Sequence, residues 1–518
     1  MTGDLPNILI IMADQLAAPA LPFYGHPVVK TPNLSTLAED GVVFDNAYCN
    51  SPLCAPSRFS MMTGQLPSRI GAYDNAAYFP ADVPTFAHYL RASGYHTCLS
   101  GKMHFVGPDQ LHGFEERLTT DIYPSDFGWT PDWRNFEKRP TWYHNMLSVV
   151  QAGLCETSNQ IDFDEEVAFH SIRKLYELAR GQDKKPFFMV VSFTHPHDPF
   201  AITPPYWNRY HDKDIDMPTV PPIAYDKLDP HSRRLYHVCG MGEYAQTEER
   251  VRNARHAYYG MISYIDDKVG QLLRILKRTN LIDNTIIIIT SDHGEMLGER
   301  GLWYKMSFFE WSARVPIVFH APHRFEARRV KAPVSLVDIL PTITEIANNG
   351  KAPFYADTLD GQSLLPLLDG NDADETYPIY AEMLGEGAVA PLLMIRRDGY
   401  KYVYSKPDPE QLFNLENDPN EMKNLADQPE YNELCRSFQS EVSEHWDERT
   451  LHEQVLASQR RRRLVDSALR SGRHTSWDFQ PYQDASRKYM RNHRNLNTLE
   501  RTARYPLPEV PEPDGPQA

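Results

Sequence analysis

Long hydrophobic runs are missing from this chain. Its first apolar stretch, Ile8 to Met12, falls far short of the roughly 20 residues a membrane helix needs, and no basic segment precedes it as one would in a secretory signal. The sequence therefore predicts a cytoplasmic protein with no membrane partner. Cysteine is scarce as well. Cys49, Cys54, Cys98, Cys155, Cys239 and Cys435 are scattered through 518 residues with no CxxC pair, which excludes a zinc ribbon or dithiol redox site and favours reduced thiols. A basic excess is lacking too: 53 Lys and Arg stand against 69 Asp and Glu, a net charge of -16, which argues against a nucleic-acid partner. No internal repeat is visible.

What is present is an alternation. Short apolar runs, NILIIMAD, GYHTCLSGKMH, PFFMVVSFTHPH, NTIIIITSDHG and VPIVFHAP, read as strands buried on both faces. Between them TPNLSTLAEDGVVF, VPTFAHYLRAS, DEEVAFHSIRKLYELAR and RNARHAYYGMISYIDDKVGQLLRILKRT carry helical spacing. The fold class is α/β, a large mostly parallel sheet sandwiched by helices, expected over residues 1–374. From 375 to 450 the texture changes to an α+β subdomain with a small antiparallel sheet. Strands YPIYAEM and LLMIRRDGYKYVYS turn at Asp398-Gly399, and EQLFNLENDPNEMKNL adds a last strand and a turn at Asp418-Pro419. Residues 451–518 form a helical and extended tail. Its Arg460–Arg463 run reads as a solvated or subunit-facing surface, and its final RYPLPEVPEPDGPQA as a disordered Pro-rich end.

The polar residues fall where the predicted strands end. Asp14 closes the first run, Lys102 and His104 follow the second, His195 ends the third, and Asp292 with His293 end the fourth. Open α/β sheets bind ligands beyond the carboxyl ends of their strands, so these residues converge on one edge. Asp14, Asp292 and His293 are ligands suited to a divalent cation. Arg58, Lys102 and Lys305 supply the positive charge a multiply oxygenated anion requires. His104 and His195 can carry protons near neutral pH. The set describes a metal-assisted hydrolase of a sulfate or phosphate ester.

Cys54 to Arg58, C-A-P-S-R, resembles the sulfatase signature C-x-P-S-R, continued by TGQLPSR. LSGKMH at 99–104 and TSDHGEMLGERGLWYKM at 290–306 resemble further sulfatase blocks. Within that family, SPLCAPSRFSMMTGQLPSRIGAYDNAAYF, SFTHPHDPF and the tail WDFQPYQDASRKYMRNHRNLNTLERTARYP are similar to the choline-sulfatases. The resemblance implies an alkaline phosphatase-like fold and hydrolysis of choline O-sulfate, with choline passing to glycine betaine synthesis. It implies that a formylglycine-generating enzyme converts Cys54 to an aldehyde whose hydrate is the nucleophile. One divalent cation, calcium by family habit with manganese or magnesium open, would be held by Asp14, Cys54, Asp292 and His293. Arg58, Lys102 and Lys305 would grip the sulfate, with Asn75 beside it. His195 would protonate the departing choline, and His104 would take the proton that releases sulfate. Trp129 and Glu386 would receive the trimethylammonium group, with Tyr123 and Asn145 as further pocket candidates.

Two positions depart from the family pattern. The second acidic residue common at the first strand end is Gln15 here, which predicts fewer carboxylates on the metal. In choline-sulfatases an acidic residue of a tail segment L-D-T-L-E reaches a neighbouring subunit's pocket; the matching residue is Asn497, with Glu500 close by. The tail still implies a homo-oligomer, a dimer or tetramer. Two other readings stand beside this one: a phosphonate monoester or phosphodiester hydrolase of the same superfamily, and a non-catalytic choline-sulfate binding protein with Cys54 unconverted.

Overall fold

A computed structural model of the chain describes residues 5–181, 185–371, 377–473, 477–479, 489–491, 495–504, 506–510 and 513. The expected boundary at 374/375 and most of the Pro-rich end lie outside them.

Eight strands form the main sheet: β1 Asn7–Ala13, β2 Val42–Tyr48, β3 His96–Gly101, β4 Glu116–Arg117, β5 Phe187–Phe193, β6 Thr285–Thr290, β7 Ile317–His320 and β8 Arg328–Ser335. Their order across the sheet is β8-β2-β7-β6-β1-β5-β3-β4. All neighbours run parallel except β7, which lies antiparallel between β2 and β6. Ile10 at the centre of β1 stands opposite Val190 on one side and Ile288 on the other. β1, β5 and β6 are buried along their whole length, as apolar strands covered by helices on both faces must be.

The helices that matter here are α1 Pro32–Glu39, α2 Cys54–Thr63, α3 Phe86–Ala92, α4 Asn159–Arg180, α5 Glu248–Arg278, α6 Asn432–His445, α7 Glu448–Arg470 and α8 Leu496–Thr502. None in the described residues is long and apolar enough to cross a membrane. One helical expectation ends early. GVVF is not the close of α1 but the start of β2, because Gly41 admits the Phe319 carbonyl of β7 to 2.8 Å of where a Cβ would sit. The Val42–Phe44 run then favours a strand.

Beyond the main sheet, β9 Ile379–Met383, β10 Leu392–Arg397, β11 Tyr400–Tyr404 and β12 Gln411–Asn414 pair antiparallel in sequence order. Asp398 and Gly399 turn β10 into β11 with φ of 53° and 77°, the left-handed pair a tight hairpin turn requires. Leu393, Ile395, Tyr402 and Leu412 of this sheet pack against Phe438 and Val442 of α6 and against Leu451 and Val455 of α7. The buried face of α7 continues at helical spacing through Gln459 to Arg462, which is 5% exposed. The four-arginine run is therefore not a uniform solvated surface. Period 3.6 turns Arg462 inward while Arg463 pairs with Asp132 outside.

Candidate active site

Three parallel strands deliver their next residues to one place: Asp14 after β1, Lys102 after β3, and Asp292 with His293 past the end of β6. Cys54 opens α2, so the positive end of that helix faces the same point. Its Sγ lies 3.2 Å from His293 Nε2 and 3.9 Å from Asp14 Oδ1. Arg58, one turn on, donates from Nε to Asp292 Oδ2 at 2.8 Å, while its buried Nη2 has no hydrogen-bond partner. Lys102 Nζ donates to Asp14 Oδ2 and sits 4.3 Å from the Tyr123 ring. Burial alone would raise the Asp14 carboxyl, but Lys102, Arg58 and His293 together hold it well below the usual carboxylate range. Burial, with Asp14 adjacent, pushes the Cys54 thiol up to about 12, so as it stands it is protonated at neutral pH.

Asp14, Cys54, Asp292 and His293 each offer a donor atom within 4.8 Å of the others, and all four are buried. Two carboxylates and an imidazole fit a divalent cation. Gln15 is not one of the donors. Its side chain accepts from Lys305 Nζ at 2.5 Å and donates to Asp198 and Glu295, so it stands behind Lys305 rather than on the ligand. A second group, His144, His197 and Asp198, is equally compact, but Lys305 Nζ lies 2.9 Å from His197 Nε2 and opposes a cation there.

Two of the expected residues are displaced by their neighbours. His195 does not reach the cavity: its Nδ1 lies 2.7 Å from Asp164 Oδ2 of α4, whose carboxylate also takes the His195 and Thr194 amides, and its ring packs on Tyr264. From this segment it is His197 that lines the cavity. Its Nδ1 lies 2.7 Å from the Asp198 carbonyl, an N–H donor position, which leaves Nε2 to accept from Lys305. Asn145 likewise turns away, its Oδ1 capping the Leu147 amide, and His144 takes the wall instead. His104 lies behind Tyr123 and Trp129, and neither of its buried ring nitrogens has a partner. Burial and Lys102 push its pKa down to about 3, so it is a neutral proton acceptor.

The cavity encloses about 490 Å³ of space between atoms, its open mouth included. Cys54 and Asn75 form its floor; Asn75 Oδ1 accepts the Ala55 amide beside the cysteine. Tyr123, Trp129, Trp142 and Tyr143 supply aromatic walls, with Trp129 and Trp142 nearly parallel at 6.0 Å. Glu386 faces the same space, and its buried Oε2 has no hydrogen-bond partner. Burial and Asp74 push its pKa up to about 8. Trp142, Tyr143 and His144 escaped the reading of the sequence, although WYH adjoins Asn145, and His197 is passed over there as an incidental neighbour of His195. Leu496 of α8 closes the rim. Within the chain, α8 packs Leu496 and Leu499 into the core, with Glu500 buried within reach of Asp198 and Lys305.

Comparisons with known proteins agree with this geometry. The sulfatase family profile matches residues 6–349. A profile described as N-sulphoglucosamine sulphohydrolase, C-terminal, matches 298–448, and one described as choline sulfatase enzyme C terminal matches 453–505. The chain is 49% identical over 516 residues to a choline-sulfatase of Rhizobium meliloti (strain 1021), covering 98% of this chain and 100% of that one. It is 30% identical over 458 residues to an arylsulfatase of Clostridium perfringens (strain 13 / Type A), covering 83% and 92%. Among solved structures, the phosphonate monoester hydrolase of Agrobacterium radiobacter superposes with a TM-score of 0.69 at 25% identity, over 87% of this chain and 96% of that one. The chain belongs to the sulfatase family, and the chemistry its site serves is the hydrolysis of a sulfuric ester.

Proposed function

We propose that the protein hydrolyses choline O-sulfate to choline and sulfate. The observation that carries this reading is Glu386: a buried carboxylate with one oxygen unpartnered, set among aromatic faces in the cavity that ends at Cys54. A trimethylammonium group cannot donate a strong hydrogen bond, so aromatic faces and a carboxylate are what its recognition needs. The name of the relative from Rhizobium meliloti supports the same substrate.

A divalent cation at Asp14, Asp292 and His293, for which we favour calcium over manganese or magnesium, would supply Lewis-acid polarisation, and formylglycine made from Cys54 by a maturing enzyme would supply the hydroxyl nucleophile. Arg58 offers its free Nη2 to a sulfate oxygen, and Lys102 and Lys305 bring two more positive charges to the developing one. Burial works against the Lys305 charge, but the carboxylates of Asp198 and Asp14 around it raise its pKa, so it keeps its proton beside His197. We assign the proton for the leaving group to Lys305, oriented by neutral His197 whose Nε2 accepts from its Nζ, in the place assigned from sequence to His195. His104, neutral and unpartnered, takes the proton whose removal expels sulfate.

The same reading divides the chain at 374 and 450; the match described as choline sulfatase enzyme C terminal begins at 453 and supports the second division, while the other two matches overlap over residues 298–349. The reading carries with it the expectation of a cytoplasmic homo-oligomer associating through the tail. Turnover of choline sulfate measured beside a phosphodiester and an aryl sulfate tests the function: choline sulfate should give the highest kcat/KM, and faster phosphodiester turnover would overturn it.

A further inference from the structure

The family comparison attaches no role to individual residues of α7, yet its buried face touches three separate walls of the cavity. Arg462 grips Asp74 with both terminal nitrogens, Nη1 to Oδ1 at 2.6 Å and Nη2 to Oδ2 at 2.7 Å. Asp74 precedes Asn75 and also caps the Ala76 amide, so this contact fixes the turn that places Asn75 beside Cys54. The same Nη1 donates to Thr130 Oγ1 at 3.2 Å, which anchors the residue after Trp129. One turn earlier, Gln459 Oε1 accepts the Trp133 amide, and the Trp133 indole donates to the Gly385 carbonyl at 3.0 Å, next to Glu386. Gly385 in turn packs so closely that a Cβ there would meet Leu53 at 2.6 Å and Asp74 at 3.4 Å. Segments 74–75, 129–130 and 385–386 thus meet on one helix.

We infer that Arg462 is a positioning and specificity-determining residue: it holds the Asn75 and Trp129 walls in register and occupies Asp74, leaving Glu386 as the carboxylate that meets the substrate's cation. Asp74 is fully buried, and a bidentate guanidinium satisfies both of its oxygens. Without Arg462 the cavity would back onto a second, uncompensated carboxylate, and buried charges tolerate that badly. Arg462 touches neither the cavity nor Cys54. It acts through Asp74 and Thr130, which distinguishes it from the groups that meet sulfate.

This inference rests on the choline-sulfate reading, and its experiment separates the two. Kinetics of the full-length, matured enzyme on choline sulfate and on 4-nitrophenyl sulfate are compared for wild type, Arg462→Lys, Arg462→Met and Arg462→Met/Asp74→Asn. The methionine variant should lose choline-sulfate turnover by about tenfold or more through KM, with the aryl ester changed by only a few-fold. Lysine, which keeps the charge but not the fork, should fall between. The double variant should recover part of the choline-sulfate KM, because the stranded charge is gone. Equal losses on both esters, or a double variant no better than Arg462→Met, would overturn the positioning role, including when Arg462→Met alone proves unstable. A wild type that does not prefer choline sulfate would instead sink the functional reading on which the inference rests.

Discussion

The two ends of the cavity are built by opposite rules. At the Cys54 end the acidic charges are answered within 4 Å: Asp14 by Lys102 and Arg58, and Asp292 by Arg58. These residues follow strand ends or open a helix, so the sheet itself sets their spacing. At the Glu386 end a carboxylate is buried with one oxygen unanswered, and its walls come from loops near residues 129, 142 and 386. The first end is assembled for any sulfate monoester. The second carries an unmet electrostatic demand, which under the proposed function would select a cation. Binding energy spent at the second end should therefore appear in discrimination between substrates, and at the first end in turnover of all of them.

The contrast is broken most severely at the first end. Cys54→Ala should abolish turnover of both choline sulfate and an aryl sulfate, by about 10⁴-fold or more, with the melting temperature within a few degrees of wild type; retained activity would remove Cys54 from the chemistry. Stripping divalent ions with a chelator should likewise cost both substrates about equally, on the order of 10²-fold or more, and be reversed by calcium; loss confined to choline sulfate would place the ion at the wrong end. At the second end, Glu386→Gln should weaken choline sulfate by about 2 kcal/mol or more while leaving the aryl ester within a few-fold. Trp129→Ala should follow with about 1 kcal/mol, again on choline sulfate alone. Equal effects on both esters would make either residue structural.

The same end should also show a pH dependence. Asp74, Arg462 and Lys305 act on Glu386, and burial leads in raising it to about 8. Only the ionised carboxylate attracts a cation, so KM for choline sulfate should fall as pH rises towards 8, by at most about tenfold per unit, and level off above it. The stability sign is opposite. A carboxyl raised in the folded state favours the fold at low pH and loses that contribution as pH climbs through about 8. A flat KM from pH 6 to 8 would mean that Glu386 is already ionised.

How much of this was legible follows from how each end is made. Strand-end residues such as Asp14, Lys102, Asp292 and His293 could be placed because uninterrupted apolar runs mark where strands stop, and the sheet edge does the rest. His195 was misplaced because its ring is captured by Asp164, a residue of α4 that is 31 positions away and carries no local sign of the contact. Two residues past a strand end, side-chain direction follows the turn and not the pleat, which is why His197 and not His195 faces the cavity. Asn145 and His144 repeat the lesson in a loop. Arg462 was hidden differently: Leu451, Val455, Gln459 and Arg462 keep helical spacing, but a polar half-stripe inside an arginine run looks like surface until Asp74 is seen across from it.

The central claim, that the Glu386 end reads a positive charge, is tested most directly by one pair of substrates of equal shape. Choline sulfate and 3,3-dimethylbutyl sulfate differ only in a quaternary nitrogen replaced by carbon. The account predicts that wild-type enzyme prefers choline sulfate in kcat/KM by about 10²-fold. Equal values for the two esters would contradict it.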